Sequence, residues 1–158
     1  MEKKNLFKEW KDKFTPQSKM LTIYYNNTPV SPNKKDPTDV GYDVILPEEI
    51  RIQPFEKKVI DLEIKMEIPK DYWIMLVERS STGANTGLML CNSIGVIDPR
   101  YRGALKAVVI NMSLDELILK AGERYFQVIL MPRIDVNWEF KEKLDKDDRG
   151  GGFGSTGK

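Results

Sequence analysis

The sequence predicts an all-β fold: a jelly-roll-like, distorted β-barrel with a short N-terminal helix and a mobile C-terminal arm. Three observations predict it. Apolar and polar residues alternate without a break from Ile60 to Ile68, the period-two signature of a half-buried strand. Further short apolar runs follow closely at Met20–Tyr25, Tyr42–Leu46, Tyr72–Val77, Leu88–Cys91, Ala104–Asn111, Glu116–Leu119 and Tyr125–Met131. Turn signals separate them, at Ser31-Pro32-Asn33, Ile68-Pro69-Lys70, Asp98-Pro99 and Ala121-Gly122, and many short strands at close spacing make a barrel or sandwich.

Each element has its own reason. In residues 1–15, Leu6, Phe7, Trp10 and Phe14 fall within about 100° of one another at helical spacing. Pro16 stops that helix, which reads as a packing appendage, with a partner-binding helix as the alternative. Residues 18–140 hold the strands, after an extension over 1–17. Beyond Arg133 the apolar pattern thins, and Lys141–Asp148 is a charged connector. An arm over 141–158 of this kind could reach a neighbouring subunit. It ends in Arg149-Gly150-Gly151-Gly152-Phe153-Gly154-Ser155-Thr156-Gly157-Lys158. Glycine has little local reason to fold, so this segment is expected to move when empty. Its N–H groups, hydroxyls and guanidinium suit phosphate, and its phenyl ring suits a base.

Composition excludes several classes of function. At 158 residues and a net charge of +1, the chain is the size of one domain and has no excess charge for wrapping DNA or RNA. The sequence contains no apolar run of membrane-span length and no secretory signal. One cysteine, Cys91, fits a reducing cytoplasm or nucleus. The chain has no histidine, which excludes Ser-His-Asp and Cys-His nucleophile systems and zinc deaminase sites. Acid–base chemistry falls to Asp, Glu, Lys or Tyr, and any metal must be a hard ion such as Mg²⁺.

Five blocks carry a resemblance. They are Val40-Gly41-Tyr42-Asp43-Val44; Arg79-Ser80-Ser81-Thr82-Gly83; Asn92 through Gly103, which contains Gly95-Val96-Ile97-Asp98-Pro99-Arg100-Tyr101-Arg102-Gly103; Gly122-Glu123-Arg124-Tyr125-Phe126-Gln127; and the glycine-rich tail. In order and spacing they resemble the motifs of the trimeric dUTP pyrophosphatase (dUTPase) family. The resemblance implies hydrolysis of dUTP to dUMP and pyrophosphate, which limits uracil incorporation into DNA and supplies dUMP for dTMP synthesis. It implies Asp98 as general base for water, with Mg²⁺ on the phosphates. Tyr101 would lie beneath the deoxyribose, where a ribose 2′-hydroxyl would clash. The backbone of a hairpin at Gly95, Val96 and Ile97 would read uracil, assisted by Asn92.

Arg79, Ser80 and Ser81 would contact phosphate, and Gln127 would hold the attacking water or an α-phosphate oxygen. Asp43 would act through water on Mg²⁺ or by bracing Arg79, and Lys106 would line the substrate. In the tail, Arg149 would meet the γ-phosphate, Phe153 would cover uracil, and Gly154, Ser155 and Thr156 would wrap the phosphates. The family implies a homotrimer with shared sites. Taken singly, Asp98 also reads as a turn residue, Asp43 as an N-cap or turn residue, Tyr101 as a core or hairpin aromatic and Lys106 as an outward-facing lysine.

The chain departs from the pattern at Glu78, where the family usually has Pro, at Tyr125 and Phe126 in place of smaller residues, and at Ala104. A dCTP deaminase-like enzyme is the alternative on the same fold. It would need a carboxylate in Ala104–Asn111, which has none. A non-catalytic nucleotide-sensing or interaction module is the other alternative.

Overall fold

Alternating burial organises the chain. Ile60, Leu62, Ile64, Met66 and Ile68 all enter the core, while Asp61, Lys65 and Glu67 between them are exposed. The computed structural model describes residues 34–143 and the backbone of one strand before them. The helix expected at 1–15 and the tail residues expected to bind nucleotide lie outside the described residues.

The strands are β1 (Thr22–Tyr25), β2 (Tyr42–Ile45), β3 (Ile50–Ile52), β4 (Lys57–Asp61), β5 (Ile64–Glu67), β6 (Tyr72–Glu78), β7 (Leu88–Leu90), β8 (Gly95–Ile97), β9 (Lys106–Asn111), β10 (Leu117–Leu119) and β11 (Arg124–Pro132). A short helix, α1 (Ser80–Asn85), separates β6 from β7. The ladders are antiparallel and fall into four small sheets: β1-β5, β10-β3, β2-β11-β6-β8 and β4-β9-β7. These enclose one core with Phe126, Leu46, Ile52, Ile60, Leu62, Ile64, Ile74, Leu76, Leu88, Leu105 and Leu119 fully buried. Each such side chain stabilises the fold by about 1.5–3 kcal/mol relative to exposure. The expected all-β class holds, as a distorted assembly of short ladders rather than a closed cylinder.

Three expectations need correction. The run Ile60–Ile68 is two strands, because Glu63 takes a left-handed φ of 55°. The Asp61 carboxylate accepts the Glu63 N–H at 2.8 Å, and Leu105 bridges the break: its carbonyl accepts from Leu62 at 2.9 Å and its N–H donates to Ile64 at 2.7 Å. The chain turns a corner there, leaving the β9 ladder for the β1 ladder, as sandwich strands do at sheet edges. The hairpin expected around Gly95–Ile97 is not a paired hairpin. β8 pairs with β6, while β7 pairs with β9, and Ile97, opposite Ile74 of β6, is buried in the core. Finally, β3 and α1 were not expected: Ile-Arg-Ile is too short to show a period, and Ser80–Asn85 has no apolar stripe.

The large pair Tyr125 and Phe126 fits through a β-bulge. Register shifts between Arg124 and Phe126 on β11, so both consecutive side chains are buried where strict alternation would expose one. The bulge also frees the Tyr125 carbonyl from the ladder. It accepts the Arg79 N–H at 3.0 Å and the Thr82 hydroxyl at 2.9 Å. That anchor places α1, and Arg79 just before it, beside the end of β11.

Candidate active site

Two cavities collect the predicted residues. The first is about 220 Å³ and is lined by Asn92, Gly95, Val96, Ile97, Asp98, Tyr101, Leu105 and Lys106. The geometry begins at Leu90, where β7 ends. Ser93, at φ 60°, turns the chain, with its N–H donating to Leu90 O at 3.1 Å and the Ile94 N–H donating to Asn92 O at 2.6 Å. β8 then runs along β6 as the edge strand of its sheet, and Asp98 opens a turn closed by the Tyr101 N–H on Asp98 O at 3.1 Å. Asp98 is exposed, with Tyr101 across the same cavity.

The Tyr101 hydroxyl donates to Ala104 O at 2.9 Å. Its ring is thereby pinned at its far end, leaving a face rather than a hydroxyl for a ligand. Gly103 is required beneath it, because a Cβ there would stand 2.4 Å from the Tyr101 oxygen. Lys106, the first residue of β9, reaches the cavity while its Nζ stands 4.0 Å from an Asp61 carboxylate oxygen.

The second cavity, about 420 Å³, is lined by Lys34, Lys35, Asp39, Val40, Gly41, Asp43, Arg79, Ser80, Arg124 and Gln127. Its floor follows from strand register: Gln127 of β11 stands opposite Asp43 of β2 on one side and Val77 of β6 on the other. Asp43, with its side chain 14% exposed, accepts from Arg79 Nε at 2.8 Å on one oxygen and from Arg124 Nη1 at 3.1 Å on the other. Arg79 Nη1 also donates to Arg124 O at 3.2 Å. A half-buried carboxylate shared by two guanidinium groups is a strong, oriented pair of charge-assisted bonds. It fixes both cations at the cavity wall and leaves a surplus of positive charge.

Gln127 Nε2 donates to Glu78 O at 3.4 Å, and its Oε1 lies so close to Gly41 that a Cβ there would approach to 2.1 Å. Ser80 lines this cavity as the first residue of α1; Ser81, beside it, is exposed and lines neither cavity.

Asp43 braces Arg79, one of the two roles expected for it. Among the described residues no cluster of acidic side chains could cage a metal, and both Asp43 oxygens are taken by guanidinium groups. The donor set therefore fits a hard ion carried on substrate phosphates and their water, not an all-protein site. The cavity also takes in residues that the sequence pattern does not mark: Arg124, which lies in one of the five blocks, and Lys34 and Lys35, which precede a turn and carry no periodic signal.

The dUTPase family model matches residues 28–157. A deoxyuridine 5'-triphosphate nucleotidohydrolase of Clostridium novyi (strain NT) is 32% identical over 140 residues, covering 88% of this chain and 99% of that protein. One from Hydrogenobaculum sp. (strain Y04AAS1) is 38% identical over 107 residues, covering 67% of this chain and 74% of that protein. In fold, a Staphylococcus bacteriophage 80alpha dUTPase solved with dUPNHPP superposes with a TM-score of 0.79 at 24% identity, covering 87% of this chain and 98% of that one.

Proposed function

The chain belongs to the dUTPase family, and we propose that it hydrolyses dUTP to dUMP and pyrophosphate, reading the nucleoside at β8 and holding phosphate beside Asp43. One observation carries the reading: Asn92, the β8 backbone, Asp98, Tyr101 and Lys106, chosen from sequence, line a single cavity. β6 occupies one side of β8, and the other side of an edge strand offers fixed N–H donors and C=O acceptors. Uracil meets them with a matching acceptor–donor pattern. Cytosine reverses that pattern at N3 and C4, and the unpaired groups make a larger penalty than a missing methylene. The pinned face of Tyr101 supports deoxyribose and leaves no room for a 2′-hydroxyl.

Asp98 takes a proton from the water that attacks the α-phosphorus. A bond forms from that water oxygen to phosphorus, the bond to the bridging oxygen of the β-phosphate breaks, and pyrophosphate departs. Arg79, Ser80 and Ser81 bind the phosphates with Arg124, and Gln127 orients the water or an α-phosphate oxygen. Mg²⁺ arriving on the triphosphate supplies charge neutralisation. Arg149, Phe153, Gly154, Ser155 and Thr156 close the site and exclude bulk water.

The two cavities have separate linings on one chain, and a homotrimer would complete each site from neighbouring copies. The outward face of the β4-β9-β7 sheet favours such packing, because Val59 and Val108 stand opposite one another there and both are exposed.

The test is pyrophosphate release from dUTP, dTTP, dCTP and UTP, with and without Mg²⁺. The expected result is turnover of dUTP alone, and ammonia release from dCTP would favour the deaminase instead. Asp98→Asn should retain nucleotide binding and lower kcat by at least about 10²-fold, the weight of a positioned base. Near-normal turnover in that variant removes Asp98 from the mechanism.

A further inference from the structure

The second cavity carries more positive charge than its two ion-paired arginines explain. Lys34 and Lys35 stand at its wall with Arg79 and Arg124, against Asp39 and Asp43. Asp43 is spent on the two arginines. Asp39 is turned into its own loop, where Oδ2 accepts the Asp36 N–H at 3.1 Å. Among the described residues, neither lysine has an ion-pair partner.

The loop is built to hold them there. The Asp36 carboxylate accepts both the Thr38 N–H at 2.7 Å and the Thr38 hydroxyl at 2.6 Å, and the Asp39 N–H returns to Asp36 O at 3.1 Å. This closed turn sits between the lysines and β2. Lys34 is positioned further by Tyr42, the first residue of β2, whose ring centroid lies 4.1 Å from Nζ. A cation over an aromatic face is attracted and oriented without a carboxylate opposing it, so Lys34 is held there free for an anionic ligand.

We propose that Lys34 and Lys35 are a second cationic clamp on the terminal phosphates of the triphosphate, with Tyr42 as the positioning residue that aims Lys34. The inference rests on the dUTPase reading for its substrate, and on cavity charge and geometry for its residues. A polyphosphate presents more negative charge than Arg79 and Arg124 can balance once Asp43 has claimed part of theirs. The two lysines supply the remainder at the cavity end nearest the 34–39 turn. They act on binding of the β- and γ-phosphates and not on the α-phosphorus.

The test uses the full chain. Lys34→Ala/Lys35→Ala should raise KM for dUTP roughly tenfold while kcat changes less than about twofold, and should flatten the salt dependence of KM. Affinity for dUMP, which lacks the terminal phosphates, should stay within about twofold. Tyr42→Leu should give part of the KM rise and Tyr42→Phe almost none, because phenylalanine retains the ring face. Lys57→Gln/Lys70→Gln removes the same charge from exposed positions elsewhere and should leave KM unchanged.

Calorimetric titration with inorganic triphosphate reads the cavity independently of turnover, and the Lys34/Lys35 variant should bind it roughly tenfold more weakly. Equal triphosphate affinity in the wild type and that variant overturns the inference, as does an equal KM rise in the Lys57/Lys70 control. If the wild type binds triphosphate through these lysines yet leaves dUTP intact, the inference stands and the dUTPase reading falls.

Discussion

At Gly103, an added methyl carbon would lie 2.4 Å from the Tyr101 oxygen and 2.6 Å from its ring carbon Cζ. No rotation of the new methyl relieves that contact, so the ring must shift and lose its bond to Ala104 O. Gly103→Ala should therefore weaken dUTP binding and narrow the preference for dUTP over UTP, each by roughly tenfold, a shift of about 1.4 kcal/mol. Side-by-side kcat/KM values for the two nucleotides check this. Gly41 makes the contrasting case, because its clash is with the flexible end of Gln127. Gly41→Ala should leave thermal stability nearly unchanged while lowering kcat as the amide swings away. Both glycines belong to recognised sequence blocks. The reason for Gly41 did not show there, since its close approach depends on what another strand brings near, and that for Gly103 depends on how the loop folds Tyr101 back over it.

At the level of elements, Tyr125 ties the turn between β10 and β11. Its hydroxyl donates to Glu123 at 2.6 Å and accepts the Lys120 N–H at 3.0 Å. Burial, and then the bond to Glu123, raise its pKa above the ordinary phenol value. The folded state thus favours the neutral phenol. The resulting stabilisation is complete below the unfolded value of about 10 and is lost as pH climbs through the higher folded value. Tyr125→Phe should cost about 1–3 kcal/mol near neutral pH, the weight of one or two hydrogen bonds. The gap between the two proteins in denaturant melts should shrink above about pH 10, and a gap that widens there would contradict this account.

The same scale shows why the run Ile60–Ile68 misled. Alternation records which side chains are buried, and burial does alternate across the break. The ladder partner changes there from β9 to β1, and periodicity holds no record of partners.

For the whole molecule, the glycine-rich arm should be separable from the core. Truncation after Asp148 should reduce turnover by about 10²-fold, the cost of losing substrate positioning by a closing segment. The melting temperature should move by only a few degrees, since the core comes from Val44 through Val128. Circular dichroism melts beside pyrophosphate release measure both, and sedimentation should give three chain masses per particle. Unfolding of the truncated chain would make the arm structural.

The sequence by itself determined the chemical inventory: without histidine, acid–base chemistry falls to Asp, Glu, Lys or Tyr, and the resemblance of the five blocks to the dUTPase family pointed to Asp98, Tyr101, Arg79 and Gln127. It also determined the all-β class, because alternation is a local property written into consecutive residues. Only the tertiary structure decided that β2, β6 and β11 lie side by side. That adjacency brings Asp43, Arg79 and Gln127 together and adds Arg124, Lys34 and Lys35 to their cavity. Contacts of that kind join residues far apart in the chain, such as Asp43 and Arg124, 81 positions apart, and they form through strand register and a bulge that no local pattern encodes.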